Sequence, residues 1–253
     1  MNYYDVGIKE VIRIYPKIGE LLTAYGIDCA GCAVGTCLMK DVLNIHNFSS
    51  DQKLLLTQQM DKLLNHEDVD IASIKPLEQE ASKVSFTAPF QRLVDEHKNI
   101  MRLLDLAQYA ARKKTLDADT IEIINCVIHY AINYADKFHH AKEENILFKK
   151  TKDNHEMIKA MITEHQTGRI YIAQTVSGVE SGEEAQAREG LNRYIDLLRA
   201  HIHKEDKILY PWFERILQDS GINELEREFK AAGRGLDANL EAELVKFLDE
   251  HFA

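Results

Sequence analysis

The chain has 253 residues, 45% hydrophobic and 28% charged with 4 Pro, which suits one large or two modest, mainly helical domains. Its formal net charge of −10 argues against nucleic acid as a partner. Charges run through residues 1–25 (Asp5, Lys9, Glu10, Arg13, Lys17, Glu20) and no apolar run is long enough to span a bilayer, so the sequence predicts a cytoplasmic protein with no membrane association.

Residues 1–66 combine short helical patterns, Val11–Tyr25 and Gln52–Leu64, with the segment "GIDCAGCAVGTCLMKDV". That segment sets Cys29, Cys32 and Cys37 in the pattern Cys-x-x-Cys-x-x-x-x-Cys. In a reducing compartment such a cluster is more often a metal or redox device than a disulfide framework; a structural role is the other reading. A helix starting near Cys32 or Cys37 would favour the thiolate there. Residues 67–87 lack a steady period and read as a linker.

From Ala88 the pattern is long and helical. The first long helix is predicted at 88–113, with Thr87 as N-cap and Pro89 in its first turn. The second spans 118–151, the third 153–178, ending before Gly178, and the fourth 183–217. Short connections make neighbours antiparallel. One or two helices follow at 222–231 and 237–252, hinged at "GRG", and no internal repeat stands out. The predicted fold is all-α: a small helical domain at 1–66, a linker at 67–87, an up-down four-helix bundle at 88–217 and C-terminal helices at 218–253.

Each long helix sets a histidine on the stripe that should be apolar. The stripes are Phe90, Leu93, His97, Ile100, Leu104; Ile128, Ile132, Ala135, His139, Glu143, Leu147; Ile158, Met161, His165, Ile172; and Leu191, Leu198, His201, Glu205, Ile208. The second and fourth helices share His-x-x-x-Glu, which places both side chains on one face a turn apart. His139 and His165 both fall roughly 18 Å from the same end of the bundle, at about 1.5 Å per residue. A buried carboxylate is costly unless it is paired or binds metal. Four imidazoles and two carboxylates suit first-row transition metals and exceed what one zinc needs. They fit two metals bridged by the carboxylates, with about one open position each by octahedral counting. No histidine follows a Glu by three residues, so the carboxylate-rich di-iron pattern of Glu-x-x-His pairs is excluded.

His140, His203, Glu144 and Asp206 fall off the stripes and are expected at the surface, or behind the ligands where they orient them. His129 is expected in the core or behind the ligands, and His46, His66, His155 and His251 in solvent. Tyr130, Tyr134, Tyr194 and Tyr210 are expected to pack in the core, where one could hydrogen-bond the bridge; Cys126 reads as a small buried hydrophobe.

The stretches "DEHKNI", "HHAKEENILF", "TEHQTG" and "HIHKEDKILYP" resemble the four ligand-bearing helices of the hemerythrin-like family over residues 88–217. They are most similar to its branch called RIC, repair of iron centres, in which a small cysteine-containing domain precedes the bundle. The phrase "GIDC" is similar to that module, although the spacing to Cys32 departs from its cysteine pair. The resemblance implies two non-haem iron ions, oxo- or hydroxo- and carboxylate-bridged. His97, His139, His165 and His201 would be terminal ligands, and Glu143 and Glu205 the bridges. Oxygen-carrying hemerythrins have a fifth histidine four residues after that of the third helix; here that position is Arg169. The implied function is iron–sulfur cluster repair under nitrosative or oxidative stress, with O₂ or NO as diatomic ligands and iron–sulfur proteins as partners. Cys29 and Cys32 would carry a thiol role there. The rival readings are an O₂- or NO-binding sensor acting through a partner protein, and iron storage. Whether the centre turns over a substrate is left open, and a homodimer is compatible with the sequence.

Overall fold

The computed structural model describes residues 2–27, 29, 37–46, 48–74, 86–151, 155–232 and 239–251. Contacts divide the chain into two units, Met1–Ser85 and Phe86–Ala253. Among the described residues the secondary structure is helical, apart from an isolated bridge between Gly7 and Leu38. No described helix is long and apolar enough to cross a membrane.

The first unit is a small helical domain. Helices α1 (Ile8–Ile14) and α2 (Pro16–Ala24) are separate where the apolar periodicity predicts one. Pro16 is the cause: it starts a new helix and forces Tyr15 out of helical conformation (φ −125°, ψ 79°). Helix α3 (Met39–Ile45) begins two residues after Cys37, and α4 (Ser50–Leu64) is opened by a capping box between Ser49 and Gln52. These helices share a core that includes Ile18, Leu21, Leu22, Leu56 and Met60. Cys29 is buried in that core and Cys37 lies half-buried at its edge, where its carbonyl accepts from the Ile8 N–H at 2.8 Å. Cys32 and most of the predicted linker lie outside the described residues.

The second unit is the antiparallel bundle. Its first rod is α5 (Ala88–Ala111); Thr87 occupies the cap position, its N–H and hydroxyl both donating to Glu214. The second starts as α6 (Ala118–Tyr130), capped by Asp117, and widens into π-helical turns at Ala131–His140 and Glu143–Leu147. The third is α7 (Glu156–Ser181); its expected start at residue 153 lies outside the described residues. The fourth is α8 (Glu184–Lys204), which passes through a π-helical turn at Glu205–Leu209 into α9 (Tyr210–Ile216).

Two differences from the sequence reading concern glycines. Helix α7 runs past Gly178 and stops at Gly182, whose φ of +73° is the left-handed cap. Gly178 instead allows close approach: a Cβ there would lie 2.3 Å from the Ala187 amide nitrogen. Gly190 does the same from α8, where a Cβ would lie 2.8 Å from the Tyr171 carbonyl oxygen. The pair lets α7 and α8 pack backbone to backbone.

Helices α10 (Asp219–Ala232) and α11 (Leu240–His251) complete this unit; the expected "GRG" hinge between them lies outside the described residues. Leu244 and Leu248 of α11 enter the bundle core, and Glu241 accepts from Tyr134 at 2.8 Å and from Asn99 at 3.2 Å.

Gly178→Ala should destabilise the protein by about 1–3 kcal/mol through overpacking. Urea unfolding of the full chain checks this, and an unchanged midpoint would contradict the close-approach account.

Candidate metal centre

The bundle brings His97, His139, His165, His201, Glu143 and Glu205 together at mid-height, each at most 2% exposed. Four outer carboxylates orient the four rings. Nδ1 of His139 donates to Glu96, of His97 to Asp206, of His165 to Glu144 and of His201 to Glu164, each at 2.8 Å. With Nδ1 engaged outward, each ring turns Nε2 inward. The Nε2 atoms of His165 and His201 lie 2.9 Å apart. Glu205 stands 3.3 Å from His97 Nε2 and 3.1 Å from His201 Nε2; Glu143 stands 3.5 Å from His165 Nε2 and 3.8 Å from His139 Nε2.

The pairing repeats with a pseudo-two-fold rule, which corrects the reading that the chain lacks an internal repeat. Glu96-His97 and Glu164-His165 occupy equivalent places on α5 and α7. The second and fourth rods share the ten-residue pattern His-x-x-Lys-Glu-[Glu/Asp]-x-Ile-Leu-[Phe/Tyr], from His139 to Phe148 and from His201 to Tyr210. Lys142 donates to Glu96, and Lys204 to Glu164. Phe148 stacks on His165, and Tyr210 on His97. The motif is visible in the sequence once the glutamates before the two histidines are included.

Electrostatics follow from burial and these partners. Burial works against charge on His97 and His201, but Asp206 and Glu205 on one, and Glu205 and Glu164 on the other, hold each up at about 9. Burial and the neighbouring positive His97 keep His139 well below its ordinary value. Burial and the adjacent Glu205 push Glu143 well up. Glu205 is driven well down despite its burial, because His201 and His97 face it.

Several buried ligand atoms have no hydrogen-bond partner among the described residues: Nε2 of His139, Oε2 of Glu143 and both oxygens of Glu205. Inward imidazole nitrogens around partnerless carboxylate oxygens are a donor set suited to a pair of transition-metal ions. Among the described residues, two groups have ligand atoms mutually within 4.8 Å: His97, His139 and Glu205; and His140, Glu143, His165 and His201.

His140 differs from expectation. It is 5% exposed and stacks on His165 with ring centroids 3.9 Å apart. A 3.6-residue wheel turns it off the stripe, but it lies in the π-helical turn, where the smaller angular step per residue brings both His139 and His140 inward. Glu144 and Asp206 are half-buried behind the rings they orient and His203 is exposed, as expected, whereas His129, expected in the core or behind the ligands, is exposed. His155 is half-buried against Trp212 rather than solvated. Tyr210 is the core tyrosine that reaches the site, donating to Glu143 at 2.6 Å. The outer acids Glu96 and Glu164 escaped the sequence reading. A cavity of about 450 Å³ opens beside the site, with Ile132, Ile172 and Val176 along its wall and Asp136, His140, His165 and Arg169 at one end.

Residues 88–213 match the family model described as the hemerythrin HHE cation binding domain. The match points to cation binding by this segment, with which its buried His/Glu groups are compatible; domains of that kind typically bind iron. No curated protein and no solved structure matches the chain.

Lys142→Met leaves the buried Glu96 carboxylate without its main counter-charge and should cost about 3–5 kcal/mol. Lys142→Arg should recover most of it. Equal stability of all three proteins in urea would show that this pairing does not hold the site.

Proposed function

We propose that the centre holds two non-haem iron ions. His97, His139, His165 and His201 are the terminal ligands, and Glu143 and Glu205 the bridges. The observation that carries this reading is the set of four rings whose Nδ1 atoms are tied outward to carboxylates, leaving four Nε2 atoms directed at partnerless carboxylate oxygens. Iron held there would supply redox chemistry and coordination of a small diatomic molecule such as O₂ or NO. The chain's own residues preset that chemistry. The outer acids fix ring tautomer and direction, Lys142 and Lys204 donate to Glu96 and Glu164 and oppose the cost of burying them, and Tyr210 steadies Glu143 by donating to it.

The finer reading is repair of iron–sulfur clusters under nitrosative or oxidative stress, in the cytoplasm, through contact with iron–sulfur proteins. The resemblance of the bundle motifs to the RIC branch supports it, together with the cysteine segment that precedes the bundle. In this reading Cys29 and Cys32 receive or relay to the partner's cluster while the bundle supplies iron or electrons.

His165→Ala and Glu205→Ala should each lose one or both irons; full occupancy in both would remove the ligand assignment. Cys29→Ser should keep the bundle's iron and lose the ability to restore activity to a nitrosylated iron–sulfur enzyme. Undiminished restoration would remove the thiol role.

A further inference from the structure

The two halves of the centre differ where the pseudo-two-fold rule predicts likeness. Asp136, His140 and Arg169 flank His139 and His165; the equivalent positions around His201 and His97 are Leu198, Ile202 and Met101. One half therefore carries a polar trio where the other is apolar. Arg169 Nε donates to Asp136 at 2.8 Å, and Asp136 lies beside His140 Nδ1 at 3.7 Å, near it but beyond hydrogen-bond distance. Arg169 also donates to Glu144 at 2.8 Å, so the guanidinium is fixed from two sides. All three residues line the cavity, to whose wall the other half contributes only the apolar Leu198 of these equivalent positions.

His140 is placed to act on something bound at the metal without ligating it. One of its ring nitrogens lies within 4.8 Å of the ligand atoms of Glu143, His165 and His201. Its ring is stacked face to face on His165, with planes 13° apart. Two rings stacked this closely and nearly parallel would not both direct a ring nitrogen's in-plane lone pair at one ion, so His140 would not share an ion with His165. His140 also lines the cavity, where a ligand entering toward the centre would meet it.

We infer that this face of the centre binds a small hydrogen-bond-accepting ligand, such as a triatomic anion or a reduced oxygen or nitrogen-oxide species. His140 donates an N–H to it, and Asp136 and Arg169 act as positioning residues. The inference rests on the reading of the six residues as ligands of two irons. In the opposite half the position of His140 is taken by Ile202, which has no side-chain donor, and Tyr210 covers His97 and donates to Glu143.

The test uses the full-length diferric protein with azide as the probe, following its ligand-to-metal charge-transfer band, and iron per chain measured on every sample. His140→Phe preserves the stack on His165; it should keep two irons and bind azide about tenfold more weakly, the loss expected for one hydrogen bond to a charged group. His140→Gln, which retains an N–H, should recover most of the affinity, and Ile202→Val at the equivalent apolar position should leave it unchanged. Wild-type azide affinity in His140→Phe with two irons present would overturn the inference. So would loss of iron in that variant, because His140 would then be a ligand. A wild-type protein that does not hold two irons would refute the underlying metal reading instead, and the role of His140 with it.

Discussion

The structure depends on one constraint: six ionisable side chains sit fully buried at the centre of a bundle, and each must be compensated there. The compensation is built outward in shells. Each inner imidazole donates to an outer carboxylate, two of those carboxylates are met by Lys142 and Lys204, and a third by Arg169. Asp206, Glu144 and Glu164 are partly exposed, where charge is cheaper, whereas Glu96 is buried and has the buried Lys142 as its counter-charge. The inner nitrogens and carboxylate oxygens are left facing one another. That leaves a donor set that is rigid, buried and prepared for cations.

Local structure is bent to the same end. The π-helical turns fall where the second and fourth rods carry their histidines and glutamates, and they widen the arc of side chains that each rod turns inward. Gly178 and Gly190 draw α7 and α8 together at one end, and α11 covers the bundle through Leu244 and Leu248. The pseudo-two-fold pairing makes both halves of the centre alike, so its departures are informative. The polar trio, which replaces apolar residues of the other half, lines the cavity beside His165.

Much of this was legible in the sequence, for physical reasons. Histidine and glutamate on an apolar stripe violate the rule that buried faces are apolar, and the violation recurs on four helices; this locates the site without coordinates. The rods were legible because 3.6-residue periodicity persists over several turns. What failed was what breaks that period. Pro16 splits one predicted helix into two, Gly178 served packing rather than termination, and the π-helical turn moved His140 from the expected rim to the interior. Glu96 and Glu164 were passed over because they sit beside the stripe, and only the partner helix reveals what they hold.

The most direct test of the central claim is iron per chain in protein purified without oxygen, with its absorption spectrum after admission of air. The account predicts two irons per chain and near-ultraviolet bands of an oxo-bridged pair. Zinc, or no metal, found reproducibly would contradict it and leave the buried histidines and glutamates as a structural network or a site for a different ion.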